Sequence, residues 1–121
     1  MKIKIENKFI GEDEPCFIIA EAGINHNNSL EMAKKMIDAA KEAGCDAIKF
    51  QMFKAKLMYP KTAGTYETDG NIINIYDAME KIELPESWIP ELMKYCKQKN
   101  IIFFTIIKIN RIRTILLYIL S

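Results

Sequence analysis

The sequence predicts an α/β fold built on parallel strands, either an open sheet or a barrel. Three observations carry this. Cys16-Phe17-Ile18-Ile19-Ala20 is an apolar run that ends on a charged residue, Glu21. Asp46 to Phe53 is a second such run with a lysine, Lys49, inside it. Between them lies a segment with helical periodicity, so the unit reads strand–helix–strand, for which a parallel pair with a right-handed crossover is the favoured geometry. Each strand delivers a polar group at its carboxyl end, where sites gather in parallel α/β folds. An ammonium is costly to bury without a partner, so Lys49 is expected at a strand end facing an anion. The alternative is a lysine that snorkels out of the strand.

In chain order, residues 2–10 alternate charged and apolar side chains, as a strand does, and Gly11 to Pro15 form a polar turn. A lead-in hairpin or edge strand over the bottom of the sheet is expected. Strand one follows at about 16–20, apolar throughout as if covered on both faces. A polar loop, Glu21 to Asn28, leads to helix one. Asn28 is the expected cap, with Glu31 completing a capping box, and Leu30, Ala33, Met36, Ile37, Ala40 and Ala43 form the apolar face. Gly44 stops the helix. Strand two covers about 46–51. There is no G-x-G-x-x-G run to support a dinucleotide fold.

Residues 54–71 read as a long loop of the kind that often serves as a lid or substrate loop. Tyr59, Lys61 and Tyr66 are its candidate contacts, with a solvated loop as the alternative. Asn74 is positioned to cap a short helix carrying Ile75, Met79 and Ile82. Pro85 and Pro90 flank Trp88, so the next helix should kink or start late, continue through Leu92, Met93 and Cys96, and end at Asn100. Strand three is Ile101 to Thr105.

Composition bounds the function. The 121 residues suffice for one ordinary domain. A formal net charge of +1 gives no field for nucleic acid or an acidic membrane. The three cysteines, Cys16, Cys45 and Cys96, are far apart and lack metal spacing, which points to reduced, packed thiols in a cytoplasmic protein. The N-terminus does not read as a signal peptide. Arginine usage breaks sharply: residues 1–105 hold 14 Lys, 16 acidic residues and no Arg, whereas 106–121 hold Lys108, Arg111 and Arg113 and no acid. Interrupted by these charges, Ile101–Leu120 does not read as a membrane span. A short basic helix or an amphipathic membrane contact could be drawn there. The favoured reading is residues 1–105 as the synthase-like domain described below and 106–121 as an aberrant basic, apolar tail, as a shifted reading frame would give.

The motifs Phe17 to Asn27 (FIIAEAGINHN), Ala39 to Gln51 (AAKEAGCDAIKFQ) and Pro85 to Leu92 (PESWIPEL) resemble the N-terminal part of the sialic acid (N-acetylneuraminate) synthase family, from about Phe17 to Phe104. The resemblance implies about three βα units of a (β/α)8 TIM barrel, truncated, because a whole barrel needs roughly 250 residues. It implies condensation of phosphoenolpyruvate with N-acetylmannosamine or a related N-acylated hexosamine, with a divalent metal, Mn or Mg, whose histidine ligands lie later in the family's chain and are absent here. Intact relatives commonly form homodimers. By motif, Lys49 pairs with phosphoenolpyruvate, Glu21 is the catalytic carboxylate that hydrogen-bonds the sugar or a nearby polar group, and Gln51, on the same side of the strand as Lys49, contacts the sugar. For Gln51 the alternative is an amide that satisfies loop backbone, and for Glu21 a salt bridge to Lys49. Thr105 falls near the family's phosphate-holding Ser/Thr-Thr-Pro segment, but Ile106 follows it and the match breaks there. His26, the only histidine, is expected to order its loop by a hydrogen bond, not to bind metal. The chain as written is expected to be inactive alone, with an inactive remnant or a non-catalytic binding or assembly module as the rival readings.

Overall fold

The structure, a computed structural model, describes residues 1–108 and the backbone of 116–119. A hairpin comes first, β1 (Lys2–Ile5) and β2 (Lys8–Gly11), paired antiparallel. Charged and apolar residues alternate through it as expected, but the chain reverses at Glu6-Asn7, where Glu6 takes a left-handed φ of 52°. The core sheet follows. Strands β3 (Ile19–Gly23), β4 (Ala47–Phe53) and β7 (Ile102–Lys108) run parallel in the order β3-β4-β7. A last strand, β8 (Leu116–Ile119), pairs antiparallel with β7. The link of residues 109–115 is shorter than the dozen or so residues that a parallel crossover needs. Residues 109–115 and 120–121 of the expected tail lie outside the described residues, and β7 itself runs past Thr105.

Helix α1 (Leu30–Glu42) connects β3 to β4. Its cap is Ser29, whose hydroxyl accepts the Met32 N–H at 3.1 Å. Asn28, the expected cap, sits one residue earlier in the left-handed region and belongs to the turn. Ala33, Ile37 and Ala40 are buried, and Leu30 and Met36 pack beside them, as the spacing predicts. At the far end Gly44 adopts φ 80° and ends the helix.

The connection from β4 to β7 is not the loop that its polar composition suggests. A short helix α2 (Ala55–Met58) is followed by an antiparallel hairpin, β5 (Thr65–Thr68) and β6 (Asn71–Asn74). Asp69 and Gly70 turn it, both with positive φ (49° and 75°), the geometry that an Asp-Gly pair favours in two-residue hairpins. Asn74 caps α3 (Ile75–Lys81) by accepting the Asp77 N–H at 3.1 Å. Pro85 opens a 3-10 turn (Glu86–Trp88), and α4 (Ile89–Gln98) starts after it with Pro90 in its first turn. That is the late start the two prolines require. Asn100, left-handed at φ 53°, follows the helix end.

The sheet has two different faces. Ile48, Phe50 and Phe103 point toward α1 and α4 and join Ile37, Leu92 and Cys96 in the main core. Ala47, Ile102 and Phe104 point the other way, where Ile5 of the hairpin and Phe17 cover them at the amino end. The hairpin therefore covers the bottom of the sheet as expected. Strand one, however, is not covered on both faces. It runs over 19–23 rather than 16–20, lies at the sheet edge among the described residues, and leaves Ile18 and Ile19 about half exposed. The cysteines also divide. Burial pushes the Cys96 thiol up to about 12, which makes it inert packing material, but Cys45 is half-buried and Cys16 exposed.

Asp46 ties these parts together at the amino end of β4. Its carboxylate accepts from the Lys8 ammonium and from the Ile18 N–H at 2.7 Å. Its backbone bonds both neighbouring strands, N–H to Ile18 C=O at 2.8 Å and C=O to Ile102 N–H at 3.0 Å. The Lys8 ammonium, then the Ile18 amide, hold its pKa below the ordinary carboxylate range, against the opposing effect of burial. Because the folded pKa is depressed, this contribution is present above the unfolded value and lost as pH falls through the folded one. Asp46→Ala should cost about 2 kcal/mol in urea unfolding at neutral pH, as for a charged hydrogen-bond acceptor. The gap to the parent should close in acid. A gap that does not change with pH would show that the carboxylate charge is not what matters there.

Candidate active site at the carboxyl ends of the strands

Strands β3 and β4 are in register at Glu21 and Lys49. Parallel neighbours in register point to the same face, so the two side chains meet, with the Lys49 ammonium 2.5 Å from the Glu21 carboxylate. Lys49 is the more enclosed, 29% exposed against 55% for Glu21. The lysine thus finds an anion, as its position demands, and it does not simply snorkel into solvent. The salt bridge that the sequence left as the alternative for Glu21 is present.

Gln51 lies two residues beyond Lys49 and so shares its face. A cleft of about 430 Å³ is lined by Glu21, Gly23, Ile24, Asn25, Lys49, Gln51 and Ile106. The register slips between Glu21 and Gly23, making a bulge, a device that re-aims side chains beside sites. Gly23 takes φ 55°, and a Cβ there would come within 3.6 Å of the Glu21 carboxylate. That distance is an ordinary contact, so it is the positive φ that favours glycine here.

Thr105 is not part of this group. It pairs in register with Phe50, and the period-two alternation puts it with Phe103 on the helix side of the sheet, where it is buried. Ile106, the next residue, faces the cleft instead. Tyr59, Lys61 and Tyr66 do not line the cleft either. Lys61 lies over the Tyr76 ring at 5.9 Å, and Tyr66 is exposed on the β5–β6 hairpin. His26 orders its loop as expected: its Nδ1 accepts the Asn28 N–H at 3.1 Å.

The sequence reading missed Gly23, Ile24 and Asn25 as lining residues. The signal was available, since they follow a carboxyl-end strand residue directly. Outside the cleft, Glu83 accepts the Ala55 N–H at 2.6 Å and pairs with Lys54 at 3.4 Å. A larger cleft, about 820 Å³, opens at the opposite end of the strands beside Lys8, Asp46 and Met93. It contains none of the predicted site residues.

The described residues do not fit a resident metal centre. No three His, Cys, Asp or Glu side chains among them converge, and the one carboxylate in the cleft is already answered by Lys49. No helix among them is long and apolar enough to cross a membrane.

Three parallel strands joined through helices, with a cation–carboxylate pair at the carboxyl ends of two of them, define a parallel α/β fold. The chain matches the NeuB family over residues 36–110, and it belongs to that family. It is 50% identical over 103 residues to the spore coat polysaccharide biosynthesis protein SpsE of Bacillus subtilis, covering 84% of this chain and 28% of that protein. It is 45% identical over 80 residues to N,N'-diacetyllegionaminic acid synthase of Legionella pneumophila, covering 63% and 22%. It is 33% identical over 99 residues to human N-acetylneuraminate-9-phosphate synthase, covering 79% and 28%. Among solved structures, it matches the N-acetylneuraminic acid synthetase of Leptospira borgpetersenii in complex with citrate. The TM-score is 0.71 at 32% identity, over 88% of this chain and 34% of that one. The crystal structure of SpsE matches with a TM-score of 0.65 at 46% identity, over 87% and 27%. The fold is therefore that of the N-terminal βα units of this family's barrel, and the chain spans about 28% of the length of SpsE.

If the Glu21–Lys49 pair serves a ligand rather than the fold, removing it should cost little stability. Lys49→Met is expected to shift unfolding by no more than about 1 kcal/mol, since partly exposed ion pairs contribute little. Urea denaturation of the two proteins decides this, and a loss of several kcal/mol would make the pair structural.

Proposed function

We propose that this chain carries the anion-binding part of a nonulosonic acid synthase site. In this reading the substrates are phosphoenolpyruvate and an N-acylated hexosamine such as N-acetylmannosamine. The observation that carries it is the Lys49 ammonium, held in register with Glu21 at the mouth of a cleft, in a chain of the NeuB family. Lys49 would exchange its partner Glu21 for the phosphate or carboxylate of phosphoenolpyruvate. A charge-assisted contact of this kind is strong in a partly enclosed cleft. Glu21, released from the ion pair, would then be free to accept a sugar hydroxyl as the catalytic carboxylate, and Gln51 would contact the sugar beside it.

The reaction forms a carbon–carbon bond between C3 of phosphoenolpyruvate and the aldehyde carbon of the open-chain sugar, whose oxygen takes up a proton. Water adds at C2, and the bond from C2 to the phosphate oxygen breaks, releasing phosphate. The part assigned to Lys49, Glu21 and Gln51 is positioning and charge stabilisation. A divalent metal, Mn or Mg, would take its ligands from outside the described residues, as would the rest of the phosphate site. Thr105, the candidate phosphate contact, would have to act from the far face of the sheet. A homodimer and a cytoplasmic location fit this reading.

Half-exposed Ile18 and Ile19, at the start of a β3 edge that is unpaired among the described residues, favour a second reading, in which the chain is a non-catalytic module that docks by that edge. The two readings separate in one experiment. Phosphoenolpyruvate binding to the purified chain is followed by calorimetry, and phosphate release is measured with N-acetylmannosamine and manganese present. Binding that weakens at least about tenfold in Lys49→Ala, the equivalent of one charged contact, supports the site. Phosphate release above that of Lys49→Ala would show that these residues suffice for turnover. Binding unchanged by Lys49→Ala would leave the docking reading.

A further inference from the structure

Strand β3 is hydrogen-bonded on one side only, to β4, among the described residues. Just before it, Ile18 turns its backbone inward. Its C=O accepts the Asp46 and Ala47 N–H groups at 2.8 and 3.2 Å, and its N–H donates to the Asp46 carboxylate. Successive residues of a strand bond to opposite sides, so the N–H and C=O of Ile19 face outward. Among the described residues no strand answers them. The side chains are open as well. Ile18 and Ile19 are 49% and 47% exposed, and they lie on opposite faces of the sheet. No charge lies between Pro15 and Ala20. Edges that stay unpaired are usually protected by charge, proline or a bulge. The bulge of β3 falls at Glu21–Gly23, beyond the apolar stretch.

We propose that this edge pairs with the same edge of a second copy of the chain, antiparallel about a two-fold axis at Ile19. The proposal rests on the docking reading above and names its partner. An antiparallel edge is its own complement, because a two-fold axis sets residue i of one copy opposite j of the other and j opposite i. With Ile19 opposite Ile19, the two residues exchange both N–H···O=C bonds. Ile18 then lies opposite Ala20 on the helix face, and Phe17 opposite Glu21 on the other. Glu21 keeps Lys49 as its partner, and no like charges meet. The neighbouring registers are worse. An axis at Phe17 sets Ile19 opposite Pro15, which has no N–H to give. An axis at Glu21 brings two carboxylates together. Further parallel strands of a barrel are the rival occupant. They would have to close on both outer strands of the parallel set, and β8 already occupies the free side of β7.

Sedimentation equilibrium of the purified chain should show a reversible dimer of the 14.0 kDa protomer. Ile19→Lys sets two ammonium groups against each other on the axis and should raise the dissociation constant at least about tenfold. Ile72→Lys, at a more exposed isoleucine of the β5–β6 hairpin (77% exposed), should leave it unchanged. Circular dichroism checks that both variants fold. A second variant tests the register directly. A hydrogen-bonded antiparallel pair brings its Cα atoms to about 5.5 Å, within reach of a disulfide. Ile19→Cys in a Cys16→Ser background should therefore form a covalent dimer under mild oxidation, and Cys16→Ser alone should not. A monomer at every concentration, a dimer indifferent to Ile19→Lys, or no Ile19→Cys cross-link would overturn the pairing. Binding of phosphoenolpyruvate, or of a different protein at the same edge, enters none of these readouts. Failure here is therefore separate from failure of either reading of the function.

Discussion

Strand β4 is hydrogen-bonded on both sides, to β3 and to β7, and this fixes which way each of its side chains points. A central strand with two partners cannot slip by one residue without turning its whole apolar set to the wrong face. Ile48 and Phe50 are therefore committed to the helices, and Lys49 and Gln51 to the other face. The site follows from that alternation. The lysine is not placed by a loop that could adapt; it is placed by the burial of its two sequence neighbours, 1% and 0% exposed. The same argument, carried one strand over, sends Thr105 to the helix side and Ile106 to the cleft.

The polarity of the sheet explains why the two ends do different work. At the amino end, Asp46 gathers the hairpin, the lead into β3, and β7 through four hydrogen bonds, and Ile5 of the hairpin with Phe17 closes the inner face. Each of its carboxylate oxygens is committed to a donor within the fold. At the carboxyl end the charged pair is simple: one ammonium and one carboxylate, with no further ionic partner for either among the described residues. A half-exposed Glu21 can leave Lys49 for little, since the exchange of one anion for another keeps the lysine answered. Stability is concentrated at one end and exchangeable charge at the other, the division that parallel βα folds use.

What the sequence made legible was what repeats. The 3.6-residue spacing from Leu30 to Ala43 identified α1 and its buried face. The apolar runs identified all three parallel strands, and two polar residues at strand ends identified the pair that meets. The failures came where a single residue decided the outcome. Ser29, not Asn28, caps α1 because Asn28 is spent on the left-handed turn that His26 holds. Residues 54–71 looked like loop because their polar and exposed side chains give no core periodicity, yet Asp69-Gly70 carried a hairpin turn. Cys16 looked packed because its neighbours are apolar, but it lies before the strand begins and in solvent.

Thr105 shows most clearly how motif and geometry can part. A family motif locates a residue along the chain; a strand's alternation decides which face it serves. Thr105 sits at the right height, level with Phe50 and one residue beyond the level of the Glu21–Lys49 pair, but on the side filled by Phe103, Phe50 and the His26 loop. Its hydroxyl is buried there, and burying a hydroxyl without a partner is costly. A contact with ligand in the cleft would require the strand to rotate that side chain through the sheet, at the expense of Phe103 and its stacking on Phe50 at 5.9 Å. On its own face Oγ1 of Thr105 has no hydrogen-bond partner among the described residues. The packing that fixes Lys49 toward the cleft thus also turns Thr105 to the opposite, helix-packed face.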